Sequence, residues 1–166
     1  MVILHKFGDN YTITGRHMNS KSRDSNLTIL TITGEPASKA NSRRLVTINN
    51  RAAFIKSKKA ILYSKDFEKQ CPVLDNLYEE DLAVAMKIYY KSRRPDLDES
   101  LILDLLQGKA YKNDRCVKLR YTEWGLDREY PRTYIVLGAL DKIDEVISTL
   151  KEIVKKEGDN ESRLNI

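Results

Sequence analysis

The stretch LAVAMKIYY at residues 82–90 contains one of the longest apolar runs in the chain, and its alternation predicts a strand. A short helix is expected to follow it, beginning at Asp98 or Ser100 and running to residue 107. Gly108 would end that helix, because glycine readily adopts the left-handed conformation that closes many helices. A strand, a loop and a helix are therefore predicted in the middle of the chain.

The rest of the chain alternates between strand-like and helix-like segments. Turn signals and hydrophobic periodicity predict strands at 2–7 and 11–16, a loop at 17–26, a strand at 27–33 ended by a turn at 34–36, and a hairpin at 45–55. A helix is predicted at 57–70, with Ser57 as its cap and Ala60, Tyr63 and Phe67 on one face. Strands at 116–124 and 132–137 are expected to pair as a hairpin. The helical spacing of apolar residues at 141–157 predicts an amphipathic helix, which residues 158–166 are expected to follow as a tail. This order lacks a strict βαβ repeat, so we expect a single α/β domain, closer to α+β, with helices packed on a mixed sheet.

The composition narrows the class of protein. With 166 residues, 41% of them hydrophobic and 32% charged, the chain is expected to fold as one soluble globular domain. Its apolar runs are far shorter than the roughly 18 residues that span a bilayer, and residues 1–7 do not suit a signal peptide. A cytoplasmic location without a membrane is therefore expected. Cys71 and Cys116 have no C-x-x-C partner, which argues against a disulfide framework or a zinc site.

Basic residues are concentrated in the first third of the chain. Residues 1–60 contain 11 Lys or Arg against 3 Asp or Glu, although the whole chain has a net charge of only +5. No acidic residue occurs in the sequence from Lys39 to Lys59, which includes Arg43, Arg44 and Arg51. Such a stretch suits a polyphosphate backbone. A solvated surface is an equally good interpretation of the charge alone.

An acidic pair follows the central strand in the sequence Arg93-Arg94-Pro95-Asp96-Leu97-Asp98-Glu99. Pro95 favours an extended backbone, in which Asp96 and Asp98 face the same side and Leu97 faces the core. Two convergent carboxylates suit Mg²⁺, which takes oxygen ligands and substrate phosphates, and Asp114 could complete the site. In the competing interpretation, Asp98 only caps the helix and Asp96 pairs with a neighbouring arginine, Arg93 or Arg94.

Three motifs occur in a characteristic order. They are Asp96-Leu97-Asp98, the run LDLLQGKAYKNDRCV at 103–117 and the strand PRTYIV at 131–136. Together they resemble the D-x-D-N, D-A-L-x-G and D-D-x-Q-V motifs, and the last strand, of the RusA-type Holliday junction resolvases, which are crossover junction endodeoxyribonucleases. The turn at 36–41 is similar to the family's turn before a basic hairpin. The resemblance makes 27–140 the expected RusA-like nuclease core and 1–26 an N-terminal extension of a hairpin and a loop.

Three positions depart from the family pattern. Asn113 replaces the first aspartate of the second motif, and Glu99 replaces the asparagine of the first. Ile102 lies one helical turn after Asp98, where the family has a lysine. The expected substitutes for that lysine are Lys109, Lys112 and Arg115.

The resemblance implies a homodimer that binds a four-way DNA junction and makes paired symmetric nicks. Asp96, Asp98 and Asp114 would be the catalytic residues and the ligands of Mg²⁺, for which Mn²⁺ could substitute, with Glu99 and Asp104 supporting them. The phosphate contacts are expected from Lys39, Arg43, Arg44, Arg51, Arg93 and Arg94. Two other functions are compatible with the sequence: cleavage of other branched DNA such as flaps or forks, and junction binding without catalysis.

Overall fold

Strand β6 (Leu82–Tyr90) lies in the interior of the main sheet. Residues on both of its faces are fully buried: Val84 and Met86 on one side, Ala83 and Ala85 on the other. A strand that is buried on both faces needs a covering layer on each side of the sheet. The other elements are arranged around β6 in a way that meets this requirement.

A computed structural model describes residues 2–7, 10–15, 27–38, 43–49 and 51–164. Its strands are β1 (Val2–Phe7), β2 (Asn10–Gly15), β3 (Thr28–Thr33), β4 (Arg43–Ile48), β5 (Arg51–Lys56), β6, β7 (Val117–Leu126) and β8 (Arg132–Ala139). Its helices are α1 (Lys58–Gln70), α2 (Ser100–Leu106) and α3 (Ile143–Leu164).

Six of the strands form the main sheet in the order β1-β2-β3-β8-β6-β7, and β4 and β5 pair in a separate two-stranded sheet. The main sheet is mixed, because β7 runs parallel to β6 whereas the other pairs are antiparallel. The predicted fold class, helices packed on a mixed sheet in the α+β manner, is confirmed. Among the described residues, none of the helices has the length and apolarity needed to cross a membrane.

The N-terminal hairpin is confirmed, and it belongs to the main sheet. β1 and β2 pair antiparallel from Val2↔Gly15 to Phe7↔Asn10, and β2 continues the sheet beyond β3. The two strands of the N-terminal extension are therefore part of the main sheet, where Ile13 pairs with Ile29 of β3. The loop predicted at 17–26 lies outside the described residues.

The predicted pairing of the last two strands is wrong. β7 and β8 lie on opposite edges of β6, which pairs with β7 from Leu82↔Val117 to Tyr90↔Leu126. The short link at 127–131 suggested a hairpin, but the more apolar β6 takes the position between the two strands and gains a neighbour on each edge. A parallel pair needs a long crossover, and residues 91–116, which include α2, supply it.

Helices cover both faces of the main sheet. α1 and α2 pack on one face, where their buried residues join Val84, Met86 and Ile88 in one core cluster. α3 packs on the other face through Val146 and Leu150. The layers therefore enclose β6 from both sides.

α1 agrees with the predicted helix at 57–70, whereas α3 differs from its prediction. α1 begins after Ser57, whose hydroxyl accepts a hydrogen bond from the Ala60 N–H at 3.2 Å, and its buried residues are the predicted Ala60, Tyr63 and Phe67. α3 is longer than predicted and continues through most of the expected tail at 158–166. Gly158 lies inside α3 and does not end it. An interior glycine lowers the stability of a helix by only about 1 kcal/mol.

Candidate functional site

The acidic loop, residues 91–99, connects β6 to α2 and carries the predicted aspartate pair. Two aromatic side chains hold its backbone. The Trp124 indole N–H donates a hydrogen bond to the Pro95 carbonyl at 3.3 Å, and the Tyr90 hydroxyl accepts one from the Asp98 N–H at 3.2 Å. The Tyr90 and Trp124 rings are stacked, with centroids 6.2 Å apart. The loop is therefore fixed to the sheet at two points.

The two aspartates of the acidic loop have different surroundings. Asp96 is exposed, and no ion pair or hydrogen bond joins its side chain to another described residue. Asp98 is half-buried, and its Oδ1 accepts a hydrogen bond from the Ser100 N–H at 2.9 Å. The interpretation that Asp98 is the N-cap of α2 is wrong: Glu99 occupies that position without a capping side-chain hydrogen bond, and Asp98 accepts the N–H of Ser100, the first helical residue. The ion pair between Asp96 and Arg93 or Arg94 is not present among the described side chains.

The prediction that Leu97 faces the core is wrong. This side chain is 40% exposed, and the preceding Asp96 is exposed as well. The alternation of a regular strand is absent, because hydrogen bonds to Trp124 and Tyr90 hold the loop backbone in place of a neighbouring strand.

Asp114 begins the 3-10 turn Asp114–Cys116 immediately before β7. The Asn113 side chain caps this turn by accepting a hydrogen bond from the Arg115 N–H at 3.0 Å. β7 enters the sheet beside Leu82, the first residue of β6, whereas the acidic loop leaves the sheet after Tyr90, the last one. The two acidic motifs are therefore attached to opposite ends of the parallel β6–β7 pair.

The expected metal ligands do not come together. In the part of the chain that the structure describes, no three His, Cys, Asp or Glu side chains form a group that could hold a metal ion. Asp114 instead lies near Tyr111. Burial is the largest cause of the raised pKa of Tyr111, and the negative charges of Asp114 and Asp104 raise it further. Asp96, Asp98 and Asp114 thus do not form a three-ligand group in this structure.

The residues expected to support the metal site have other partners. Their contacts are Glu99 with Arg120 at 3.4 Å, Lys109 with the Cys71 carbonyl at 3.3 Å, and Lys112 with Glu79 at 3.5 Å. Asp104 and Arg115 are exposed. Ile102 is fully buried, so the position of the family lysine belongs to the core of this protein.

Tyr90 has a carboxylate neighbour that the sequence patterns did not indicate. Burial raises the pKa of Tyr90, the hydrogen bond from the Asp98 N–H lowers it, and the carboxylates of Asp98, Glu35 and Glu99 raise it again. Glu35 lies in the segment 34–36, which the sequence marked only as a turn. A turn signal predicts where the chain changes direction, and it carries no information on what a side chain in the turn contacts.

The expected phosphate-binding residues lie on two segments. Arg93 and Arg94 are exposed on the acidic loop, and Arg51 is exposed at the start of β5. Arg43 and Arg44 lie on β4, which forms the predicted hairpin with β5. Lys39 lies outside the described residues. Among the side chains that are described, Arg51, Arg93 and Arg94 form no ion pair with a carboxylate, so their charges are available to a polyanion.

Comparison with known proteins assigns no family. No protein-family model matches the sequence, and no curated protein matches it significantly. The resemblance to the RusA-type resolvases therefore rests on the motifs alone.

Proposed function

We propose that the protein is a structure-specific endonuclease that resolves four-way DNA junctions by paired symmetric nicks. It acts as a homodimer in the cytoplasm, with Mg²⁺ or Mn²⁺ as its cofactor. The observation that carries the proposal is the surface of the acidic loop, where Asp96, Arg93 and Arg94 are exposed together without described ion-pair partners. Loops that a rigid scaffold holds in place commonly carry binding and catalytic residues.

Charges of both signs on one loop suit the cutting of a DNA strand. A lone carboxylate repels the phosphate backbone, and Arg93 and Arg94 offset that repulsion from positions three and two residues before Asp96. Arg51 adds a phosphate-binding position on the β4–β5 hairpin. Such contacts position DNA without reading its sequence, which is what a protein that recognises branch structure requires.

The aspartates do not fit a preformed metal centre, because no three-ligand group exists among the described residues. We therefore assign no ligand set and derive no catalytic step through a metal. Mg²⁺ is commonly held by one or two carboxylates together with substrate phosphates. For that reason the metal requirement is best measured with DNA present.

The decisive experiment incubates the purified protein with a labelled synthetic four-way junction and with a linear duplex of the same sequence, in Mg²⁺, Mn²⁺ or EDTA. We expect nicks at equivalent positions in two opposed strands, with ligatable ends, because a two-fold symmetric dimer matches the near two-fold symmetry of the junction. The duplex should be cut far less, since it offers no second strand at the separation that the dimer fixes. Scattered single nicks, or equal activity on duplex or flaps, would indicate a more general nuclease.

Junction binding without catalysis is the second candidate. Asp98 Oδ1 accepts a hydrogen bond from the Ser100 N–H at the start of α2, and Ile102 is buried where the family has a lysine. Both observations favour a protein that keeps the DNA-binding surface without a working cleavage site. A junction that is bound but left intact under every metal condition would support this candidate over the endonuclease.

A further inference from the structure

Glu35 lies where three parts of the fold meet. It follows β3 and Gly34, whose φ of +106° is a conformation that favours glycine. The Gly34 N–H donates a hydrogen bond to the Pro131 carbonyl at 2.8 Å, so the turn is fixed before Glu35. The Glu35 side chain is only 17% exposed, although its residue type is ordinarily solvated.

Both carboxylate oxygens of Glu35 are used, and they hold different elements. Oε1 forms an ion pair with Lys59 Nζ in the first turn of α1, the helix that follows the basic β4–β5 hairpin. Oε2 accepts a hydrogen bond from the backbone N–H of Lys91 at 2.8 Å. Lys91 is the first residue of the acidic loop, so Glu35 connects the start of that loop to α1.

Tyr90 holds the other end of the acidic loop. Its hydroxyl accepts the Asp98 N–H at 3.2 Å, and Tyr90 itself is 1% exposed. Glu35 and Tyr90 therefore fix residues 91 and 98 by one backbone hydrogen bond each. Between these two points lie the exposed Arg93, Arg94 and Asp96.

We propose that Glu35 is a positioning residue for the acidic loop, which sets the place of Asp96 relative to α1 through Lys91 and Lys59. The inference rests on the proposed function, because position matters most if the loop acts on DNA. A displacement of about 1 Å in a catalytic group can lower a rate on the order of 100-fold. Glu35 acts through the backbone of the loop and contacts neither metal nor DNA in this role.

The test compares Glu35→Ala, which removes both contacts, with Glu35→Gln, whose amide oxygen can still accept the Lys91 N–H. Asp66→Asn is the matched control, since Asp66 forms an exposed ion pair with Lys69 on the same helix, α1. We expect Glu35→Ala to lower kcat for junction cleavage about 10- to 100-fold with little change in junction Kd. Glu35→Gln should recover most of that loss, and Asp66→Asn should cleave like the unmodified protein.

Amide hydrogen exchange supplies a readout that does not depend on cleavage. Glu35→Ala should speed exchange at the Lys91 and Asp98 amides while the interior amides of β6 stay protected. Unchanged exchange at residues 91–99 in both Glu35 variants would overturn the positioning role. So would full cleavage activity in Glu35→Ala alongside loss of cleavage in Asp96→Asn. An unmodified protein that does not cleave rejects the proposed endonuclease, and the exchange data then decide whether Glu35 holds the loop.

Discussion

Two regions of the molecule place arginines beside carboxylates, and they use these charges in opposite ways. The Arg132 side chain is 10% exposed and forms ion pairs with Asp127 and with Glu157, the latter at 2.8 Å. In the acidic loop, Arg93 and Arg94 are exposed and have no carboxylate partner among the described side chains. The charges of the first region are paired with one another within the chain, whereas those of the second region are exposed to solvent.

The network around Arg132 connects β8, the β7–β8 link and α3. The Arg132 Nε–H donates a hydrogen bond to Glu157 Oε1 at 3.0 Å, and its guanidinium carbon lies 4.3 Å from the centroid of the Tyr89 ring. Burial raises the pKa of Asp127, but hydrogen bonds from the Tyr130 N–H and from Arg132 outweigh burial, so the pKa is lowered overall. The fold therefore stabilises the charged forms of Asp127 and Arg132.

The comparison shows how burial decides what a charged side chain does. A buried charge without a partner is costly, so a buried arginine must find carboxylates within the fold. An exposed charge stays hydrated, and an ion pair at the surface adds little to stability. The acidic loop can therefore keep unpaired charges of both signs at small cost, and those charges remain available to a ligand.

The largest expected effect comes from Arg132→Met. This change removes the guanidinium and leaves Asp127 and Glu157 without their cation, so the free energy of unfolding should fall by about 3 kcal/mol. Urea denaturation measures it as a lower midpoint with an unchanged slope. Lys69→Met is the control, because it breaks an exposed ion pair with Asp66 and should change stability by less than about 0.5 kcal/mol. A loss below about 1 kcal/mol for Arg132→Met would contradict the structural role of the network.

Smaller effects are expected from substitutions of the two aspartates of the acidic loop, one on cleavage and the other on stability. Asp96→Asn should leave stability within about 0.5 kcal/mol, because the side chain is exposed, yet lower junction cleavage at least about 100-fold while binding persists. Asp98→Ala should lower stability by about 1 kcal/mol, since the Ser100 N–H loses its acceptor. Asp98→Asn keeps an acceptor oxygen and should stay near the stability of the unmodified protein. Normal cleavage by Asp96→Asn would remove it from the catalytic residues.

Much of the fold could be predicted because its signals are local. The Ser57 cap, the spacing of Ala60, Tyr63 and Phe67, and the apolar run of β6 each lie within a few residues of one another, and the structure confirms them. The pairing of β7 and β8 could not be predicted from such signals. Two strands joined by a short link look like a hairpin, and only the burial of β6 on both faces explains why it lies between them.

The candidate site likewise has features that local sequence patterns predict and features that they do not. The acidic pair is visible as a motif, but the structure shows that Asp98 Oδ1 accepts the Ser100 N–H and that Asp114 lies in the turn immediately before β7. Glu35 could not be found from the sequence, because its partners Lys59 and Lys91 are 24 and 56 residues away. Contacts over such separations follow from the arrangement of the sheet and helices, which local patterns do not determine.

The smallest expected effect tests whether the exposed arginines differ from other surface cations. Each phosphate that a cation neutralises releases counterions, so the logarithm of the junction affinity falls with the logarithm of the salt concentration by about 0.9 per contact. Replacing Arg51, Arg93 or Arg94 by Ala should therefore reduce this slope by about one unit each. Lys156 supplies the control on α3, which packs on the other face of the sheet, where its side chain is 77% exposed. Because Lys156→Ala removes an equal charge far from the acidic loop, it should leave the slope unchanged. Equal slopes for all four variants would show that these arginines are no more than a solvated surface.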